Sequence, residues 1–281
     1  MKPELKDHWG RLKGLFESAV EAHMATAWAH WPEQLAEAST YALTSGGKRV
    51  RPVLSLMVAE ACGAPTDQVM PWALAVEMIH NYSLVHDDLP CMDDDDLRRG
   101  RPTTHIKYGE GMAVLVGDVL LTEAFGVAGQ LDTPQVGQLI RFLSQCAGGP
   151  GMVGGQVLDI GGHFPDLPAL EKVHRLKTGA LFEASTRGAA IAVGASPEIV
   201  EAMTEYGRAI GLLFQITDDI LDAEQDAEEP GRSYLHHLSP DEVKAHRDAT
   251  AARTVEIAQQ AFGARSEVLQ WVVEYIAHRD L

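Results

Sequence analysis

Residues 80–100 read HNYSLVHDDLPCMDDDDLRRG: a helical pattern runs into six aspartates within ten residues, Asp87 to Asp96, and then into Arg98 and Arg99. At helical spacing His80, Leu84 and Asp87 share one stripe, about 10 Å from end to end at about 1.5 Å per residue. Pro90 disturbs that helix, so Asp93 need not keep ideal spacing and can fold back toward Asp87. Two carboxylates about 4 Å apart repel by about 1 kcal/mol in bulk water and about 4 kcal/mol at an effective dielectric near 20. Either water screens the run as a surface turn, or cations hold it together.

A second acidic stripe decides between these. In FQITDDILDAEQD, residues 214–226, Gln215, Asp218, Asp219 and Asp222 fall at i, i+3, i+4 and i+7, on one face of a helix beside Phe214 and Leu221. Three carboxylates and an amide in a row are odd for a core element and natural for the wall of a metal-filled cavity. Hard oxygen ligands, without thiolates or an HExxH histidine pair, suit Mg²⁺ or Mn²⁺. Mg²⁺ usually binds through one or two carboxylates plus substrate phosphates. Divalent ions bridging to a diphosphate would offset the repulsion in both runs.

The positive charge is just as local. GGKRVRP places Lys48, Arg49 and Arg51 after a glycine pair, LRRGRP supplies Arg98 and Arg99, and RLKTGALFEAS supplies Lys177 and Thr178. Arginine grips phosphate oxygens bidentately and lysine acts as a point charge. In a chain with 40 acidic and 23 basic residues and a formal charge of −17, such clusters read as anion sites. The same balance argues against a phosphate-backbone surface, so no nucleic acid is expected as a partner.

Helical periodicity dominates the rest. Leu5, Trp9, Leu12, Phe16, Ala19, His23 and Ala27 recur at three- and four-residue steps. Further helices are expected over about 33–44, 52–62, 67–89, 111–129, 134–147, 168–193, 198–223 and 240–278, with glycine and proline pairs as punctuation. No comparable period-two run, repeat or dividing linker appears, so residues 1–281 read as one all-α domain. Val69–Val85 and Met112–Ala128 are apolar but interrupted by Glu77, His80, Asp118 and Glu123, so buried core helices and no membrane span are expected. Three scattered cysteines and an opening MKPELKDHWG without an apolar signal region suggest a cytoplasmic protein without disulfides.

GGKRVRP, EMIHNYSLVHDDLPCMDDDDLRRGRPTTH, GMVGGQVLD, KTGALFEAS and FQITDDILD occur in the order seen in trans-polyprenyl diphosphate synthases. Over Tyr41 to Asp222 the chain resembles that family, and most of all its bacterial short-chain farnesyl diphosphate synthase type; YIAHRD near the end continues the likeness. The resemblance implies an isoprenoid-synthase-type helical bundle around a deep central cavity, usually homodimeric, with Mg²⁺ ions, three when diphosphate is bound. It implies a head-to-tail condensation of isopentenyl diphosphate with dimethylallyl or geranyl diphosphate. By position, Asp87, Asp88 and Asp93 would be one metal-binding set and Asp218, Asp219 and Asp222 the other. Lys48, Arg49, His80 and Arg99 match residues that hold isopentenyl diphosphate. Arg98, Lys177, Thr178 and Gln215 match the allylic side.

Product length is expected to depend on what plugs the cavity below the first aspartates. Tyr82 and Ser83 lie five and four residues before Asp87, about one turn further along the helix, and an aromatic there suggests a fifteen-carbon product over ten or twenty. The chain departs from the family after Asp222, where AEQDAEEPGRSYLHHL is short and acidic. Arg232 replaces the second of two family lysines and nothing obvious replaces the first, in a segment that serves as a lid. Two other readings stay open: a terpene cyclase, which GGKRVRP with His80 disfavours, and a weakly active partner subunit of a prenyl synthase.

Overall fold

The apolar stripes come together as fourteen α-helical segments among the described residues, which are 3–162, 164–221 and 231–279 of a computed structural model. Helix α1 (Pro3–Ala27) turns Leu12, Phe16 and Val20 into the core, as its periodicity requires. Helices α2 (Glu33–Leu43) and α3 (Val50–Ala61) follow, then α4 (Met70–Asp87). From Trp72 to Ile79 every residue of α4 is buried, the pattern of a helix surrounded on all sides.

After α4 the chain turns where Pro90 interrupts it, and Asp93 N–H donates to Asp87 O at 2.8 Å. A short hairpin pairs β1 (Leu97–Arg98) with β2 (Arg101–Pro102). Helix α5 (Thr104–Tyr108) leads into α6 (Glu110–Ala128), which packs on α4. α6 is long and apolar enough to cross a membrane by length and composition, contrary to the expectation from its interrupting acids. One face, with Ala113, Val116, Gly117, Leu120 and Ala124, is buried, while Val114 and Leu115 are exposed.

Helices α7 (Val136–Ala147) and α8 (Met152–Ile160) come next. α8 falls between the helices expected over 134–147 and 168–193, in a stretch for which no helix is expected. The helix expected over 168–193 is a run of α9 (Leu167–His174), α10 (Ala180–Glu183) and α11 (Ala189–Ala192) joined by two π-helical turns, Arg175–Gly179 and Ala184–Gly188. Such wide turns are frequent at functional sites, and the first carries Lys177 and Thr178.

Helix α12 (Pro197–Leu221) carries the second acidic stripe. The expected 240–278 helix is two: α13 (Pro240–Phe262), started by a Ser239–Glu242 capping box, and α14 (Glu267–Ala277). The chain leaves α13 through Gly263 at φ +56°, where a left-handed residue ends a helix. One continuous core runs from Leu12 to Ala277, with a smaller cluster of Phe164, Leu170, Val173, Ile216, Tyr234 and Val243 beneath the outer end of α12.

Candidate active site

A cavity of about 430 Å³ opens between the C-terminal half of α4, the start of α3, α8 and the first π turn. Its polar lining is Arg51, His80, Ser83, His86, Asp87, Gln156, Lys177 and Thr178; Met92, Met152, Val153, Val157, Ile160 and Leu181 make it otherwise apolar. A few converging polar groups in an apolar pocket are the common form of a small-molecule site.

Asp87 sits at the last residue of α4. Burial pushes its carboxyl up to about 6; Lys177 opposes that shift and Asp93 adds to it. The ionised form is therefore short of positive charge, the condition a cation would correct. Asp93 is tied back to Asp87 through the backbone hydrogen bond, as the reading of Pro90 anticipates.

Asp88 points elsewhere. It is 3% exposed, accepts from Arg98 Nε at 2.5 Å, and lines a neighbouring cleft with Tyr41, Asn81 and Thr103. Burial raises its carboxyl pKa, with Arg98 as the main opposing influence. Arg98 is thus engaged with Asp88, and with Asp95 at 3.0 Å.

Arg49, expected with the isopentenyl diphosphate group, is not brought to the cavity. Its left-handed backbone (φ +53°) at the start of α3 turns the side chain inward, where it is 1% exposed. It bonds Glu77 at 2.7 Å, Glu17 at 2.8 Å and Leu43 O at 2.7 Å. Arg51, one half-turn along α3, takes the cavity position instead and stacks over Phe182 at 4.8 Å.

Arg51 Nη1 lies 3.3 Å from His80 Nε2. Burial, then Arg51 and Arg99, hold His80 well below its ordinary pKa, so its imidazole is neutral and accepts at Nε2 from the guanidinium. Arg51 itself is pushed down to about 10 by burial, while Glu77 and Asp218 favour its charge. Arg99 (φ +54°) bonds Gly46 O and Ser45, and covers Gly47, where a Cβ would lie 2.7 Å from Arg99 Cζ. Lys48 is exposed beside them. Arg51 and the neutral His80 thus line the α3 side of the cavity, with Arg99 and Lys48 beyond its lining.

On the opposite side, Lys177 Nζ donates to Asp159 Oδ2 at 2.5 Å, and Arg232 donates to Asp159 O at 3.2 Å with its Nη1 3.7 Å from Oδ1. One carboxylate at the end of α8 therefore gathers the π-turn lysine and the arginine that follows α12. Gln156, one turn earlier on α8, faces the cavity with both side-chain polar atoms buried and without a partner among the described residues. A buried unpaired amide costs about 1–3 kcal/mol unless a ligand satisfies it.

The second stripe lies beyond the cavity lining. Asp218 takes the guanidinium of Arg279, which also covers the Phe214 ring at 4.0 Å and donates to Phe214 O at 3.3 Å. Asp219 is 6% exposed and accepts the Tyr234 backbone N–H at 2.7 Å. Gln215 is half-buried on the same face of α12. Asp222 lies outside the described residues.

Among the described residues no three His, Cys, Asp or Glu side chains converge on one point. Protein groups alone would not cage an ion here. Asp87, Asp93 and Asp218 fit the other mode, in which Mg²⁺ takes few carboxylates and fills its shell with water and phosphate. Sequence reasoning missed Arg51 as the cavity arginine of its motif, and did not single out Gln156, Asp159 or Arg279. All lie inside stretches that carried the resemblance, Arg279 in the C-terminal YIAHRD.

Residues 32–243 match the family described as polyprenyl synthetase. The chain is 42% identical over 240 residues to heterodimeric geranylgeranyl pyrophosphate synthase large subunit 1 of Arabidopsis thaliana, covering 82% of this chain and 65% of that protein. It is 44% identical over 208 residues to farnesyl diphosphate synthase of Geobacillus stearothermophilus, covering 72% of this chain and 70% of that one. The crystal structure of an FPP/GFPP synthase from Zymomonas mobilis superposes with a TM-score of 0.89 at 32% identity, over 99% of this chain and 100% of that one.

Proposed function

The chain belongs to the polyprenyl synthetase family, and from that premise we propose that it joins isopentenyl diphosphate to an allylic diphosphate and releases a short prenyl diphosphate, farnesyl diphosphate above geranyl or geranylgeranyl. The observation that carries this reading is the meeting of Asp87, Arg51, His80, Lys177 and Thr178 around one apolar-walled cavity of about 430 Å³.

Arg51 and its neighbours Arg99 and Lys48 hold one diphosphate, with neutral His80 fixed by the Arg51 contact. Lys177 and Thr178 address the other, while Arg98 is held by Asp88 and Asp95 beside the neighbouring cleft. Asp87, Asp93 and Asp218 would hold Mg²⁺, which when bound supplies the charge that stabilises the departing diphosphate. Met152 and Leu181, both buried, keep water from the allylic cation that ionisation leaves. The isopentenyl double bond attacks that cation, and the proton then lost goes to the released diphosphate; no side-chain base is assigned. Arg232, held at Asp159, takes the place of a lid cation.

Tyr82 supports the fifteen-carbon product: its residue is 5% exposed, lines the cavity and meets His86 edge-on at 5.9 Å between centroids. The exposed Val114 and Leu115 of α6 favour a homodimer through that face, since exposed apolar patches mark partner surfaces. Incubation of the purified chain alone with labelled isopentenyl diphosphate and geranyl diphosphate tests the reading. Label in a fifteen-carbon alcohol after dephosphorylation is expected. Folded protein that transfers no label without an added partner chain would favour the partner-subunit reading.

A further inference from the structure

A second groove, larger than the cavity, opens between α9, the π turn after it, α12 and α13, with a volume of about 640 Å³. Four cations line it: Lys172, Arg175, Arg208 and Arg253. Arg208 is engaged by Glu183 at 2.9 Å, but the side chains of Lys172, Arg175 and Arg253 make no ion pair or hydrogen bond among the described residues. Of the two acids in the groove, Glu171 lies 3.4 Å from His246 Nε2, leaving Glu205 as the other.

That concentration of positive charge is out of keeping with a chain of formal charge −17. Like charges gathered in a concave surface focus their field and raise the local concentration of anions. A single carboxylate satisfies one guanidinium; cations arriving from three helices and a turn suit an anion with several charged oxygens. Pro168, Ala209 and Leu212 add apolar surface to the groove's lining.

We propose that this groove is a second ligand site, which takes a diphosphate group either free or carried on a prenyl chain. It shares no lining residue with the catalytic cavity, so the two can be separated by mutation.

The test is calorimetric titration of the whole chain with inorganic diphosphate in EDTA at low salt. The starting protein is the double variant Arg51→Ala/Lys177→Ala, which removes the lysine and the arginine that line the cavity. Residual binding is expected there, weakening as salt rises, and falling at least tenfold when Lys172→Ala/Arg253→Ala is added. Should that variant lose thermal stability, Arg175→Gln/Arg253→Gln replaces it. Geranyl diphosphate titrated in parallel separates the sources: tighter binding than inorganic diphosphate assigns the groove a prenyl diphosphate, and equal binding a free one. No residual binding in the starting variant, or residual binding that survives both groove variants, would overturn the proposal.

Discussion

Arg51 stands 3.3 Å from His80 while Arg49, two residues earlier, is locked on Glu77 at 2.7 Å, so the two arginines of one short motif do different work. Arg51→Ala removes a cation from the cavity and strands no buried charge, since its partners, His80 Nε2 and the Phe182 ring, are neutral. We expect KM for isopentenyl diphosphate to rise about tenfold or more, the scale of one charge-assisted hydrogen bond, with the unfolding midpoint nearly unchanged. Arg49→Ala leaves Glu77 buried and unpaired, and should cost about 3–5 kcal/mol of stability in denaturant titration. The reverse pattern would mean the roles are misassigned.

Gly117 of α6 is where the floor of the cavity can be moved. A Cβ there would lie 1.9 Å from His86 Nε2, which now bonds Val114 O at 3.0 Å. Gly117→Ala should push the imidazole toward the cavity beside Tyr82, cost about 1–3 kcal/mol as overpacking does, and shorten the product. Tyr82→Ala should lengthen it. Product profiles unchanged in both variants would refute the plug.

The Asp87 carboxyl, raised by burial to about 6, has a definite sign in stability. Its folded pKa lies above the unfolded value of about 3.9, so the native state holds the extra proton between them and this group's contribution worsens as pH rises through about 6. Asp87→Asn abolishes that pH-dependent contribution. In metal-free buffer the gain in thermal midpoint from Asp87→Asn should be larger at pH 7.5 than at pH 4.5. A pH-independent difference would show that the carboxylate is already compensated.

Asp159 gathers Lys177 at 2.5 Å and Arg232 at 3.7 Å. Asp159→Ala should therefore affect both cations at once: kcat drops, and adding Arg232→Ala costs less than it does in the wild-type background. Additive losses in that double-mutant cycle would mean the two act independently.

The stripes on α1, α4 and α12 were legible because apolar spacing is a local property, and Asp93 returns to Asp87 because Pro90 stops α4. Arg49 was misread for a reason that spacing does not carry: a left-handed φ at the head of α3 reverses which arginine of GGKRVRP faces inward. α8 is not legible because its two glycines, Gly154 and Gly155, are poor helix formers, yet each lies where a Cβ would meet backbone at 2.0 or 2.2 Å, so close packing selects them. The π turn under Lys177 and the break at Gly263 depend on tertiary packing and on a single left-handed residue. The Arg279–Asp218 pair joins residues 61 apart, a contact no local pattern encodes.

The central claim is that this cavity elongates an allylic chain by five carbons per cycle with Mg²⁺. It is tested most directly by mass spectrometry of dephosphorylated products from isopentenyl diphosphate with dimethylallyl or geranyl diphosphate, in Mg²⁺ and in EDTA. Farnesol from both primers in Mg²⁺, and no elongation in EDTA, is the predicted result. Folded protein that forms no elongated alcohol from either primer in Mg²⁺ would contradict it.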